Sequence, residues 1–175
     1  MAGHSKWAKL KHVKGKTDAQ KSKLFSKLVR FISVEAKKAK GDRSAPGLRA
    51  AMDKARAANM PVDNIDRAID KASQSGELDR IVYEAYGPGG VAMVIEGYTD
   101  SRNRTAQEIK HILSQHGVQL ANPGAASWAF TKNAEGKLEP TTTVEVSEED
   151  GAKLSELVDA LEDHDDVSEV YTNAA

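Results

Sequence analysis

Eleven residues capable of gripping a polyanion crowd the start of the chain: Lys6, Trp7, Lys9, Lys11, His12, Lys14, Lys16, Lys21, Lys23, Lys27 and Arg30. Residues 1–40 hold twelve Lys/Arg against two acids, Asp18 and Glu35. Cations at this density neutralise backbone phosphates and release their counterions, the sequence-independent part of nucleic-acid affinity. Trp7, set among the lysines, has two readings. Its ring can stack on an unpaired base, as aromatics do in single-strand and RNA binders, or it can plug a core. The plainer reading of the lysines is a solvated helix face.

A second constellation is Asp100-Ser101-Arg102-Asn103-Arg104-Thr105 at a strand-to-helix junction. First-turn amides together with Arg102, Asn103 and Arg104 could contact a phosphate; the alternative is a helix cap whose arginines pair with nearby acids. Gly87-Pro88-Gly89-Gly90 lacks a following Lys-Ser/Thr and leads into a strand, so it reads as a hairpin turn and not as a phosphate loop. The five histidines, at 4, 12, 111, 116 and 164, form no ligand set by spacing, and no metal is expected. Glu162, Asp163, Asp165 and Asp166 could in principle hold Mg²⁺ for nuclease chemistry, but an acidic helix terminus accounts for them. No cysteine is present and no Ser/His/Asp spacing or nucleophile elbow appears. The expectation is a binder without catalysis, cofactor or small-molecule substrate.

These residues need elements to hold them. Residues 1–16 are an arm without apolar period. Thr17 and Gln20 have capping-box spacing and open a helix. Its apolar face is Leu24, Phe25, Leu28, Phe31, Ile32 and Ala36, with Lys23, Lys27, Arg30, Lys37 and Lys38 opposite and Val34 and Glu35 as exceptions. Gly41 is expected to close it. A second helix after Ser44 and a third through Ile65, Ala68, Ile69 and Ala72 complete a bundle. Near residue 79 the period changes to two: strands are expected through Ile81–Tyr86, Val91–Tyr98, Val118–Leu120, Ser127–Phe130, Thr142–Val146 and Val167–Thr172. Asn103 is expected to cap a helix running to Gly117, and Ser147 one carrying Leu154, Leu157, Val158 and Leu161.

The fold class expected is α+β: residues 1–78 as a basic arm plus a three-helix domain, and residues 79–175 as an α/β domain with a mixed sheet and two helices. Within 175 residues, 39% hydrophobic and 29% charged, no apolar run reaches membrane-spanning length and no secretory signal opens the chain. A cytoplasmic protein with nucleic acid as partner, DNA or ribosomal RNA, is expected, with no membrane and a monomer favoured. A cationic helix on anionic lipid is the alternative partner. The near-neutral total conceals a split, because residues 131–175 carry thirteen acids against three bases.

Ala2-Gly3-His4-Ser5-Lys6-Trp7 with Lys11-His12-Val13-Lys14 resembles the opening of the YebC/PmpR family, which includes the mitochondrial translational activator of cytochrome oxidase subunit I. Asn59-Met60-Pro61, Asp63-Asn64-Ile65, Tyr86-Gly87-Pro88-Gly89-Gly90, Asn103-Arg104-Thr105 and Leu161–Val167 continue the likeness over nearly the whole chain. The resemblance implies a helical N-terminal domain followed by an α/β domain interrupted by a third. That third domain looks absent here, since Ser127–Lys132 passes through Asn133–Pro140 straight to the C-terminal piece. Ser127–Lys132 and Thr142–Val146 are then expected in one sheet. The family's described roles are DNA-binding transcriptional regulation and ribosome-associated assistance to translation across proline runs. With the opening motif at residue 2, the resemblance leads us to expect no mitochondrial presequence and a bacterial cytosol.

Overall fold

The computed structural model describes residues 18–72, 74 and 76–175. The chain divides into two compact units, one ending at Asp79 and the other running Arg80–Ala175.

The helical unit contains α1 (Asp18–Lys38), α2 (Pro46–Ala57) and α3 (Val62–Ala72). Leu28, Ile32 and Ala36 of α1 are buried with Leu48, Ala51, Met52, Ala55, Met60, Ile65, Ala68, Ile69 and Ala72, and Leu24, Phe25 and Phe31 pack at the margin. The expected apolar face of α1 is thus consumed as core. Val34, an exception to the period, is buried as well. Glu35, the other exception, pairs with Lys38 at 2.8 Å and packs so closely on Gly47, in the first turn of α2, that a Cβ there would lie 2.2 Å from its carboxylate. A carboxylate at a helix N-terminus is electrostatically favourable.

Helix α1 ends one residue earlier than expected. Lys40, φ +51°, is its left-handed residue, with Lys40 N–H donating to Lys37 O and Gly41 N–H to Ala36 O, the paired bonds of a Schellman ending. Asn59, φ +62°, does the same for α2, and its following Met60 turns into the core. Ala45 precedes α2 without a side-chain cap, and Pro46 stands in its first turn.

The second unit is a four-stranded sheet, order β3-β1-β2-β6, from β1 (Asp79–Gly87), β2 (Val91–Thr99), β3 (Leu120–Ala121) and β6 (Val167–Thr172). Helices α4 (Arg102–Gln115) and α5 (Glu148–Glu162) cover one face. Ala85, Met93 and Ile95 meet Ile109, Leu113, Leu154, Leu157 and Leu161 there. On the other face Ala92 and Val94 pack on Ala126, Ala129 and Phe130. Strand β2 is buried on both sides, which its unbroken Val91–Ile95 run anticipates. The architecture is α+β. The β3–β1 and β2–β6 pairs are antiparallel, and the isolated Val144–Ala174 bridge is parallel.

Three stretches differ from expectation. Residues Ser127–Ala129 form a 3₁₀ turn, and only Phe130–Lys132 is a strand (β4). Backbone N–H groups of Gly124, Ala126 and Ser127 bind the Glu84 carboxylate, so this loop has no ladder to join. The Asn133–Pro140 connection is the turn and second strand of a hairpin: β5 (Leu138–Pro140) pairs with β4 in a separate two-stranded sheet, and Asn133 Oδ1 accepts from Glu135 and Lys137 N–H to close the turn. Thr142–Val146 is no strand of the main sheet. It is tethered to the C-terminus by Val144 N–H to Asn173 O and by Asn173 Nδ2 to Thr142 O. Ser127–Lys132 and Thr142–Val146 therefore do not share a sheet. Finally, Ser101 and not Asn103 caps α4, accepting from Arg104 N–H at 3.4 Å, whereas Ser147 caps α5 as its spacing implies.

Candidate nucleic-acid interface

Lys6, Trp7, Lys9, Lys11, His12, Lys14 and Lys16 lie outside the described residues. The structure places Lys21, Lys23, Lys27 and Arg30 on α1. Lys21 and Lys23 are exposed, and Lys27 and Arg30 half-buried. Burial of Leu28, Ile32 and Ala36 fixes the rotation of the helix and with it the direction of these cations. Toward its C-terminus Lys37 and Lys38 line a shallow groove with Ser33, Val34, Gly76, Glu77 and Leu78. Elsewhere in the unit, Arg43, ahead of α2, pairs with Asp66 of α3 at 2.6 Å and Arg56 with Asp53 of α2 at 3.0 Å; α1 carries six Lys/Arg against two acids and α3 two against three. Positive charge in this unit is therefore weighted toward α1.

The second constellation is built differently. Arg102 and Asn103 stand exposed on the first turn of α4. Arg104 is drawn inward: its Nη2 lies 2.9 Å from Asp166 Oδ2 and 2.8 Å from Asp100 Oδ1. Asp166, 3% exposed, also accepts from Thr105 Oγ1 at 2.6 Å and Thr99 Oγ1 at 3.3 Å. Arg104 thus serves as the internal counter-ion of a buried carboxylate tying the end of β2, the start of α4 and the start of β6 together. Leaving such a carboxylate without its counter-ion would be destabilising, because a buried charge is then compensated only by hydroxyls. Of the acidic cluster considered for Mg²⁺, Asp166 is committed to this latch.

Glu108, His164 and Asp166 offer ligand atoms within 4.8 Å of one another. The hydrogen bonds decide what they are. Asp166 N–H can only donate, and it donates to His164 Nδ1 at 3.1 Å, which puts the imidazole proton on Nε2, facing Glu108 Oε2 at 2.7 Å. A metal would need that nitrogen bare, and would face the Arg104 guanidinium. The trio is a proton-bearing hydrogen-bond chain.

Two features escaped the sequence reading. Glu84 is buried within β1 and its two oxygens take Gly124, Ala126 and Ser127 N–H at 2.7–2.8 Å. Burial pushes its carboxyl up, but the three backbone N–H groups outweigh that and hold it below the ordinary carboxylate range. The loop so held carries Trp128, exposed to solvent beside Tyr86. A lone carboxylate between Val82 and Tyr86, in a strand whose alternate residues are core, was the available signal.

Fold and surface define a two-unit α+β protein: a helical bundle whose first helix is cationic, and a sheet unit in which acids outnumber bases. Residues 5–75 match the TACO1/YebC protein N-terminal domain, and residues 78–137 and 131–174 match the TACO1/YebC second and third domain. A probable transcriptional regulatory protein of Thermosipho africanus is 38% identical over 237 residues, covering 99% of this chain and 93% of the relative. One from Petrotoga mobilis is 50% identical over 136 residues, covering 75% of this chain and 54% of the relative. The crystal structure of a conserved hypothetical protein from Aquifex aeolicus superposes with a TM-score of 0.83 at 32% identity, covering 98% of this chain and 97% of that one. The chain belongs to the TACO1/YebC family.

Proposed function

We propose that this protein is a nucleic-acid-binding regulator of gene expression whose N-terminal arm and α1 supply the phosphate contacts. The observation that carries the reading is the division of α1: its apolar residues are spent in the bundle core while Lys21 and Lys23 remain exposed. That division also counts against lipid insertion, which needs the apolar face, and no helix among the described residues is long and apolar enough to cross a membrane. The naming of relatives as probable transcriptional regulatory proteins supports a regulatory role.

Between duplex DNA and irregular RNA, the charge distribution favours RNA. Helices α2 and α3 are joined by a short turn, but α3 presents Asp63 and Asp70 with Arg67 and Lys71 on its exposed surface, and acids are poorly suited to a major groove flanked by phosphates. An arm with Trp7 among lysines suits a surface offering both phosphates and unstacked bases. The reading is therefore a ribosome- or RNA-associated factor. The Asn133–Pro140 hairpin stands where the relatives carry an additional module, a reading supported by alignments that run over 237 positions against a chain of 175.

The test is a paired titration at one salt concentration, with ribosomes and with a random DNA duplex. Lys21→Glu/Lys23→Glu should weaken binding to both, with unchanged circular dichroism. Trp7→Ala should weaken ribosome binding by roughly 5- to 150-fold, the scale of one lost base stack, and duplex binding far less. Wild-type affinity in the double mutant would refute the assignment to α1. Equal losses from Trp7→Ala on both targets would remove the RNA preference.

A further inference from the structure

The sheet unit carries an aromatic surface that the phosphate contacts of α1 do not use. Trp128 is 62% exposed and Tyr86 41%. The pair is fixed in place. The Trp128 indole N–H donates to Tyr86 Oη and to Ala125 O, each at 2.9 Å, and the Tyr86 hydroxyl donates to the same carbonyl. Glu84 clamps the loop that carries Trp128 through the N–H groups of Gly124, Ala126 and Ser127. On its inner side the loop is anchored by Ala126, Ala129 and Phe130, which pack on Ala92 and Val94. Indole has one donor and no acceptor, and that donor is committed to protein partners, so Trp128 presents a ring face and nothing else. A ring already held in place loses little side-chain freedom when a partner covers it.

The composition around the pair says what kind of partner suits that face. The chain is 29% charged, yet the two segments that build the platform, residues 85–95 and 117–131, hold no Asp, Glu, Lys or Arg. The neighbouring carboxylate, Glu84, has both oxygens bonded to backbone N–H groups. Nothing in these segments attracts an ionic side chain. Residues 80–175 as a whole carry seventeen acids against seven bases, a balance that opposes phosphates. Seven of those acids, however, belong to α4 and α5, which cover the opposite face of the sheet from Ala126, Ala129 and Phe130. The partner of this face is therefore flat, uncharged at the point of contact and recognised through its π-surface. An unpaired nucleobase meets all three conditions, and its stacking on an aromatic ring needs no hydrogen-bond code.

We infer that Trp128, braced by Tyr86, is a stacking platform for an unpaired base of a single-stranded nucleic acid. It rests on the reading of α1 as a phosphate-binding helix and adds to it a contact that does not depend on charge. A strand already held through its phosphates offers bases to another site on the same chain at a raised effective concentration, so the platform need bind only weakly by itself. Paired bases keep their faces inside the stack, and the platform accordingly selects unpaired strand over duplex.

The test uses the full chain carrying Trp7→Phe, which leaves Trp128 as its sole indole. Two labelled probes of equal charge are titrated at one salt concentration: an octamer of adenosine ribonucleotides and an abasic octamer. The adenine octamer should quench Trp128 fluorescence and the abasic one should not. By probe anisotropy, Trp128→Leu should weaken adenine-octamer binding by roughly 5- to 150-fold and leave abasic-octamer binding unchanged. Trp128→Tyr, which keeps a ring at the site, should recover part of the loss. Equal affinity of the parent and Trp128→Leu for the adenine octamer would overturn the proposal. So would equal losses on both octamers, or a Trp128 signal that changes with protein concentration alone, which would make the occupant a second copy. Failure of the α1 reading looks different: Lys21→Glu/Lys23→Glu would then bind both octamers as tightly as the parent, whatever the outcome at Trp128.

Discussion

Glu84 shows how one side chain can govern a loop. Its two oxygens accept three backbone N–H groups, one on Oε1 and two on Oε2, and the charged form is favoured by those bonds. Glu84→Gln keeps the volume but sets an amide N–H₂ against a backbone donor, so a loss of about 1–3 kcal/mol is expected in chemical denaturation. The pH dependence has a definite sign. A carboxylate whose folded pKa lies below its unfolded value stabilises fully above the unfolded value, ordinarily 4.5, and loses that contribution as pH falls through the folded one. Wild-type stability should therefore fall on acidification below about pH 4.5 more steeply than that of Glu84→Gln. Parallel acid limbs for the two proteins would refute the clamp.

At the scale of elements, β2 and β6 meet at a point that tolerates no side chain. A Cβ on Gly97 would lie 1.9 Å from the backbone oxygen of Asp166, at the register shift between Glu96 and Gly97. Neither strand can yield there without breaking Tyr98 N–H to Asp166 O and loosening the latch made by the side chain of the same residue. Gly97→Ala should destabilise by about 3 kcal/mol, with amide protection lost in β2 and β6 first. A second element-level expectation concerns Lys40, a non-glycine residue held at φ +51°. Lys40→Gly should stabilise by about 0.5–1 kcal/mol, since the left-handed region is costly for any residue with a Cβ and free for glycine. A lower melting temperature in that variant would contradict the Schellman ending.

At the scale of the molecule, charge is segregated along the chain: twelve Lys/Arg in residues 1–40 and thirteen Asp/Glu in residues 131–175. Phosphate neutralisation by the basic end should make nucleic-acid affinity strongly dependent on ionic strength. If six to ten phosphates are neutralised, affinity should fall by about 10³–10⁵ between 50 and 200 mM salt. Lys21→Glu/Lys23→Glu should flatten that slope in a titration series. An identical slope in the double mutant would place the phosphate contacts elsewhere.

Much of this was legible before any coordinates. Helix positions followed from a 3.6-residue period, because burying an apolar stripe is the largest local constraint on a helix. Leu28, Ile32 and Ala36 went inward for that reason. The central place of β2 followed from its unbroken apolar run, and the cationic arm from composition alone. Tertiary structure decided what depends on a partner distant in sequence. Arg104 and Asp166 are 62 residues apart, and only the fold makes this arginine the counter-ion of a buried carboxylate. Ser127–Ala129 stays out of a ladder where Glu84, more than forty residues earlier, captures the Ser127 amide and those of Gly124 and Ala126 just before it. Asn133–Pro140 formed its own hairpin because Asn133 could close a turn locally. Period and composition report which face of an element is apolar; which polar group satisfies which requires the chain to have been brought together, since hydrogen bonds act over ångströms in space and not along the sequence.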